Sequence, residues 1–71
     1  MNKQEFVNGL RSAIRFRQHG YDNELEKYLR GLKNHFNEDA VTEIEDFLFE
    51  LNEQTSDLGL GEFYEYLQTK Q

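Results

Sequence analysis

Apolar residues recur along this chain at steps of three and four, and no strand-length stretch alternates apolar with polar. That spacing predicts α-helix throughout, because a turn of 3.6 residues returns positions three and four apart to one face. The first helix is expected from about Lys3 to Gln18, with Phe6, Val7, Leu10 and Ile14 on its apolar side. His19-Gly20 marks its end, since glycine readily takes the left-handed conformation that closes helices. Asp22 or Asn23 is the expected cap of helix 2, with Asn23 and Glu26 at capping-box spacing. Helix 2 is expected to bury Leu25, Tyr28, Leu29, Leu32 and Phe36. Asn37 suits both the close of helix 2 and the cap of helix 3. Helix 3 runs in this reading to about Gln54 and turns Val41, Ile44, Phe47, Leu48 and Leu51 inward. Ser56-Asp57-Leu58-Gly59-Leu60-Gly61 reads as a loop or frayed turn. A short fourth helix then offers Phe63, Tyr64, Tyr66 and Leu67 for packing.

Short connections make successive helices antiparallel neighbours. The expected fold is therefore all-α: a small antiparallel bundle of three main helices plus a short C-terminal fourth helix, in one domain spanning residues 1–71. Gly9, Ala13 and Gly31 are small enough to let helices approach closely. Phe6-Val7-Asn8-Gly9-Leu10-Arg11 also echoes Tyr28-Leu29-Arg30-Gly31-Leu32-Lys33. Two unrelated amphipathic helices account for that echo more simply than a duplication does.

Length and composition narrow the class. A 71-residue domain buries only about 60% of its unfolded surface, so its stability is marginal without help from a partner or a second copy. There is no cysteine, which removes disulfides and thiolate metal sites and fits a reducing compartment. The longest apolar run, Phe47-Leu48-Phe49, falls far short of the ~20 residues that span a bilayer. Met1-Asn2-Lys3-Gln4-Glu5 is followed by no apolar stretch of the kind a signal peptide has. The expectation is a soluble cytoplasmic protein without membrane contact. Met1 to Phe6, with Leu10-Arg11, resembles the start of small bacterial helical domains linked to PadR-type regulators; the likeness covers those opening residues and implies nothing further.

Charge alters the picture most. The net charge of −6 is split unevenly. Residues 1–37 hold seven bases and four acids, and residues 38–71 hold ten acids and the single base Lys70. Such acidity argues against direct binding of nucleic acid, whose phosphates would be repelled. Asp39, Glu43, Asp46, Glu50, Glu53 and Asp57 follow one another at steps of four and three. On one helix they would share a face, and each like-charged i,i+4 pair would cost about 0.2–0.5 kcal/mol.

Enzymatic chemistry finds little support. Ser12 and Ser56 stand near no His–acid arrangement in sequence, and neither a zinc-protease motif nor a Gly-rich phosphate loop occurs. Gly59-Leu60-Gly61-Glu62 lacks the preceding strand of a dinucleotide fingerprint. Asp57 to Gly61 lacks the oxygen ligands of an EF-hand loop. His35, Asp39 and Glu43 are spaced by four, but the break at Asn37 interrupts a continuous helix, and His35 reads more simply as a histidine at the edge of the core. No cofactor and no metal are expected.

Three explanations of the acidic stripe compete: a solvated face, internal neutralisation by the bases of residues 1–37, and an interface for a basic partner. Helical angles turn Arg11, Arg15, Lys27 and Arg30 away from the apolar faces, which weighs against neutralisation. Arg17 alone falls on the Phe6–Leu10–Ile14 line, from which it could reach a carboxylate. Phe49 lies on the polar side of helix 3 among Glu38, Thr42, Glu45 and Glu53, an aromatic with a charged rim. Phe16 also lies off the main core face. The functional expectation is a small, acidic, non-enzymatic protein–protein interaction module, similar in style to phage-encoded inhibitors that occupy a basic groove by mimicking nucleic acid. Asp39, Glu43, Asp46, Glu50, Glu53 and Phe49 would bind the basic protein. The alternative is a homodimer or larger homo-oligomer that buries Phe16, Phe49, Leu58, Leu60 and Phe63 to Tyr66 between chains while the acidic face is merely solvated.

Overall fold

The computed structural model describes residues 1–50 and 54–71. Its order is α1 (Lys3–His19), α2 (Asp22–Leu32), α3 (Glu38–Phe49) and α4 (Asp57–Gln68). Among the described residues all regular structure is helical, and no helix is long and apolar enough to cross a membrane.

α1 is the element on which the others pack: it touches each of the other three helices. The Asn2 side chain caps it by accepting the Glu5 N–H at 2.8 Å. Phe6, Leu10 and Ala13 on its inner face are fully buried. Its end is a Schellman arrangement built on Gly20, at φ 73°. The Gly20 N–H donates to the Arg17 carbonyl and the Tyr21 N–H to the Phe16 carbonyl. The apolar contact that goes with this motif is present, with the Phe16 and Tyr21 rings 6.5 Å apart. Phe16, read from sequence as surplus contact surface, has its neighbour within the turn.

The same tight turn corrects the expected cap of helix 2. The helix begins directly after the turn, and Tyr21 (φ −81°, ψ 70°) takes the cap position without a side-chain hydrogen bond. Asp22 and Asn23 sit inside the first turn, where Asp22 still favours the helix dipole. α2 is also shallower and shorter than expected. Leu32 is its one fully packed residue, while Leu25, Tyr28 and Leu29 are partly buried. After Leu32 the chain turns through residues 33–35 and folds Phe36 into the core from outside the helix. This turn takes His35 off the α2 face, so His35 is exposed and does not line the core. Asn37 is extended (φ −74°, ψ 173°) and caps α3 by accepting the Ala40 N–H at 2.9 Å. It does not close α2.

α3 buries Ala40, Val41, Ile44 and Leu48, with Phe47 partly buried against α4. It ends at Phe49, several residues before the expected Gln54, and Glu50 follows as its cap. Leu51, expected in the core, lies outside the described residues.

The largest departure from the sequence reading is α4. Ser56 to Gly61 is not a loop: the Ser56 hydroxyl accepts the Gly59 N–H at 3.2 Å, and the helix begins at Asp57. With 12 residues α4 equals α3 in length. Two helical glycines cost about 1 kcal/mol each. Burial of Leu60 and Leu67, both fully inaccessible, contributes about 1.5–3 kcal/mol apiece and outweighs them.

The contacts of α1 with α4 run in opposite order along the two helices. Tyr64 donates its hydroxyl to the Met1 carbonyl, Lys3 pairs with Glu65, and Arg11 pairs with Asp57. Phe6 is the centre of this packing, with its ring 5.6 Å from Phe36, 6.2 Å from Phe63 and 5.2 Å from Tyr64. Of the small residues, Gly9 does permit close approach, since a Cβ there would lie 3.1 Å from the Tyr28 ring. Ala13 is buried, but Gly31 faces open space. The buried Tyr28 hydroxyl has no hydrogen-bond partner among the described residues, and burial pushes its ionisation well above the ordinary tyrosine range.

Two glycines therefore respond oppositely to alanine. Gly20→Ala meets no steric obstacle but must hold φ 73°, and is expected to destabilise by about 1–2 kcal/mol. Gly31→Ala, in a helix with open space beside it, is expected to stabilise by about 0.5–1 kcal/mol. Urea unfolding of both variants checks the pair; equal signs would contradict the assignment.

Candidate functional site

α3 and its cap carry Glu38, Asp39, Glu43, Glu45, Asp46 and Glu50, with no Lys or Arg between Glu38 and Glu50. Because Ala40, Val41, Ile44 and Leu48 face inward, helical geometry sends Asp39 and Asp46 straight outward. Both are exposed, as are Glu45, Phe49 and Glu50, while Glu43 is partly buried. Of the residues expected to form the site, Asp39, Glu43 and Asp46 lie on α3, Phe49 ends it and Glu50 caps it. Glu53 lies outside the described residues.

The stripe is thus not one continuous row, and its parts meet different environments. Asp57, its last member, opens α4 and pairs with Arg11. Arg11 also donates to the Thr55 carbonyl at 3.1 Å. Arg11 is read from the sequence as turned away from the apolar face of helix 1; the opposed run of α1 and α4 brings it level with Asp57, so this base does neutralise one acid of the stripe. Glu65 is held by Lys3 in the same way. Arg30 pairs within α2, with Glu26 at 2.8 Å.

The N-terminal half of the α3 face has a cation as well. Asn37 donates its side-chain N–H to the Lys70 carbonyl at 2.8 Å, and its backbone N–H donates to the Gln71 side chain at 2.9 Å. Gln71 in turn donates to the His35 carbonyl at 3.3 Å. The end of α4 is thereby tied to the start of α3. The Lys70 ammonium lies 5.2 Å from the centre of the Tyr66 ring. The Tyr66 hydroxyl, then the carboxylates of Glu43 and Asp39, hold Lys70 above the ordinary lysine range. Tyr66 continues a stack from Phe63, which lies on Phe47 with ring centres 4.7 Å apart.

The C-terminal half lacks this longer-range cover from Lys70, and among the described residues no carboxylate of either half forms an ion pair. Among the described residues Glu45, Asp46 and Glu50 form no ion pair. They also stand at the negative end of the helix dipole, where no basic residue occupies the last turn. Each exposed carboxylate in that position costs about 0.3–1 kcal/mol at low salt. Beside them Phe49 is 76% exposed. Arg17 crosses from α1 and lays its guanidinium over the Phe49 ring, 5.2 Å from its centre. The sequence pointed Arg17 toward a carboxylate; it meets the aromatic ring. On the same side of α3, a shallow groove is lined by Lys33, Phe36, Glu38, Val41, Thr42 and Glu45. Thr42, Glu45 and Phe49 share that side at positions i, i+3 and i+7, so Phe49 stands at its end.

Other proposed constellations are not assembled. Among the described residues no three potential metal ligands converge, and His35, Asp39 and Glu43 form no such group. Much of the apolar set considered for contact between chains is used within this one. Leu60 is fully buried and Phe63 and Tyr64 pack on the core, leaving Phe49, Leu58 and Tyr66 exposed. The roles of Lys70 and Tyr66 had no sequence signal, because they depend on α4 being a full helix. The Arg17–Phe49 contact did have one, in the position of Arg17 on the inner line of α1.

Known protein families, characterised proteins and solved structures show no match to this chain. Its geometry is the ground for a functional reading.

Removing the cation at the covered half tests its electrostatic role. Lys70→Gln is expected to lower the thermal midpoint at low ionic strength, and the loss should shrink as salt screens the carboxylates. A loss independent of salt would assign Lys70 to packing on Tyr66 alone.

Proposed function

We propose that this chain is a small, non-enzymatic interaction module, an antiparallel helical bundle that binds a basic protein through the C-terminal half of α3. The observation that carries the reading is the pairing of an exposed Phe49 with three unneutralised carboxylates, Glu45, Asp46 and Glu50, at the unfavourable end of their helix. A face serving solubility alone has no need to concentrate acids where they oppose the dipole, next to a large apolar ring. A basic partner relieves both costs at once: its cations meet the carboxylates and its surface covers the ring. Asp39 and Glu43, beside Lys70, contribute less than Asp46 and Glu50. A nucleic-acid-binding protein is the partner class that best fits an acidic helix face, because its groove already accepts a line of negative charge. In that role the module is an inhibitor or modulator, encoded by a phage or a bacterium and acting in the cytoplasm.

The second reading is self-association. Leu58, 76% exposed on α4, and Tyr66 supply its contact surface. A symmetric contact across the α3 face is disfavoured, since it would bring carboxylate against carboxylate.

Charge reversal separates the two. The wild-type domain and the double variant Asp46→Lys/Glu50→Lys are immobilised, and a basic protein retained from lysate is purified and titrated against each with and without a short DNA duplex. The expected result is loss of binding in the variant with helicity intact, and competition by DNA for the wild-type complex. Undiminished binding by the variant contradicts the proposal. Sedimentation at micromolar concentration, showing a dimer unaffected by the reversal, favours self-association.

A further inference from the structure

We infer that the partner addresses this surface with arginine in preference to lysine, stacking a guanidinium on the open part of the Phe49 ring; this rests on the interaction-module reading above. The domain already contains the contact in miniature. Arg17 places its guanidinium 5.2 Å from the ring centre, yet Phe49 remains 76% exposed. One face of the ring is taken and the rest is open. Arg17 supplies the precedent for the contact: its guanidinium lies on this aromatic ring.

The surroundings suit a planar cation. Glu45 and Asp46 stand one helical turn before Phe49, which sets their carboxylates on the side of the helix that the ring occupies. A guanidinium can stack on an aromatic face and still direct its N–H donors sideways to carboxylates. An ammonium is a compact, strongly hydrated point charge that cannot do both. The groove lined by Lys33, Phe36, Glu38, Val41, Thr42 and Glu45 lies on the same side of α3 as Phe49, and its two carboxylates outnumber its one lysine. Charge selects a basic occupant over a second copy, which would set six carboxylates of one α3 and its cap against six of the other.

Two synthetic peptides of equal length and charge test this, one alternating arginine with serine and the other lysine with serine. Each is titrated calorimetrically into the whole domain at low ionic strength. The arginine peptide is expected to bind roughly 2–5-fold more tightly. In Phe49→Ala, whose folding is checked by circular dichroism, the two affinities should converge on that of the lysine peptide. Equal affinities in the wild type, or an arginine advantage that persists in Phe49→Ala, overturn the inference and leave the acidic-face reading standing. Failure of both peptides to bind overturns both.

Discussion

The burial of Phe6 is the constraint on which the rest of the structure depends. Its ring is fully inaccessible and meets Phe36 from the α2–α3 turn and Phe63 and Tyr64 from α4. Two segments far apart in sequence are thereby fixed to one point on α1. The opposed run of α1 and α4 follows, with Lys3 beside Glu65 and Arg11 beside Asp57. The salt bridges are exposed and contribute little individually; they mark the register that apolar burial sets. With α4 held there, its last residues reach the start of α3: Asn37 donates to the Lys70 carbonyl, and the charges of Glu43 and Asp39 help raise the Lys70 ammonium.

That register gives the acidic face two unlike ends. The start of α3 has a side-chain cap, two acids that favour the dipole, and Lys70 close by. The finish has Glu45, Asp46 and Glu50 against the dipole and an exposed aromatic. At this end Arg17 lies on Phe49, and Lys33 lines the groove that Glu45 shares. The influence of Lys70 therefore falls at the start of α3, while the exposed aromatic stands at its finish. This asymmetry directs the functional reading to Phe49 and its neighbours, more narrowly than a row of carboxylates could.

Much of the helical framework was legible in the sequence. Phe6, Val7, Leu10 and Ile14 sit where their spacing put them, Gly20 closes α1 in the left-handed conformation, and Asn37 caps α3. The failures share a cause, which is tertiary packing outweighing local preference. Leu58-Gly59-Leu60-Gly61 reads as a loop from its glycines, yet burial of Leu60 against α1 makes it helix. His35 leaves the core edge because α2 stops at Leu32 so that Phe36 can fold inward. The candidate site was legible as a list of acids. Its division into a covered and an open half was not, because Lys70 stands more than twenty positions away from Asp39 and Glu43 in sequence.

The most direct test of the open end is where a bound cationic peptide perturbs the backbone amide spectrum of the labelled domain. The account predicts shifts concentrated at Thr42, Glu45, Asp46, Phe49 and Glu50, with Arg17 responding across the ring, and little change at Asp39, Glu43 or Lys70. Shifts spread evenly along α3, or centred on Asp39 and Glu43, would contradict it.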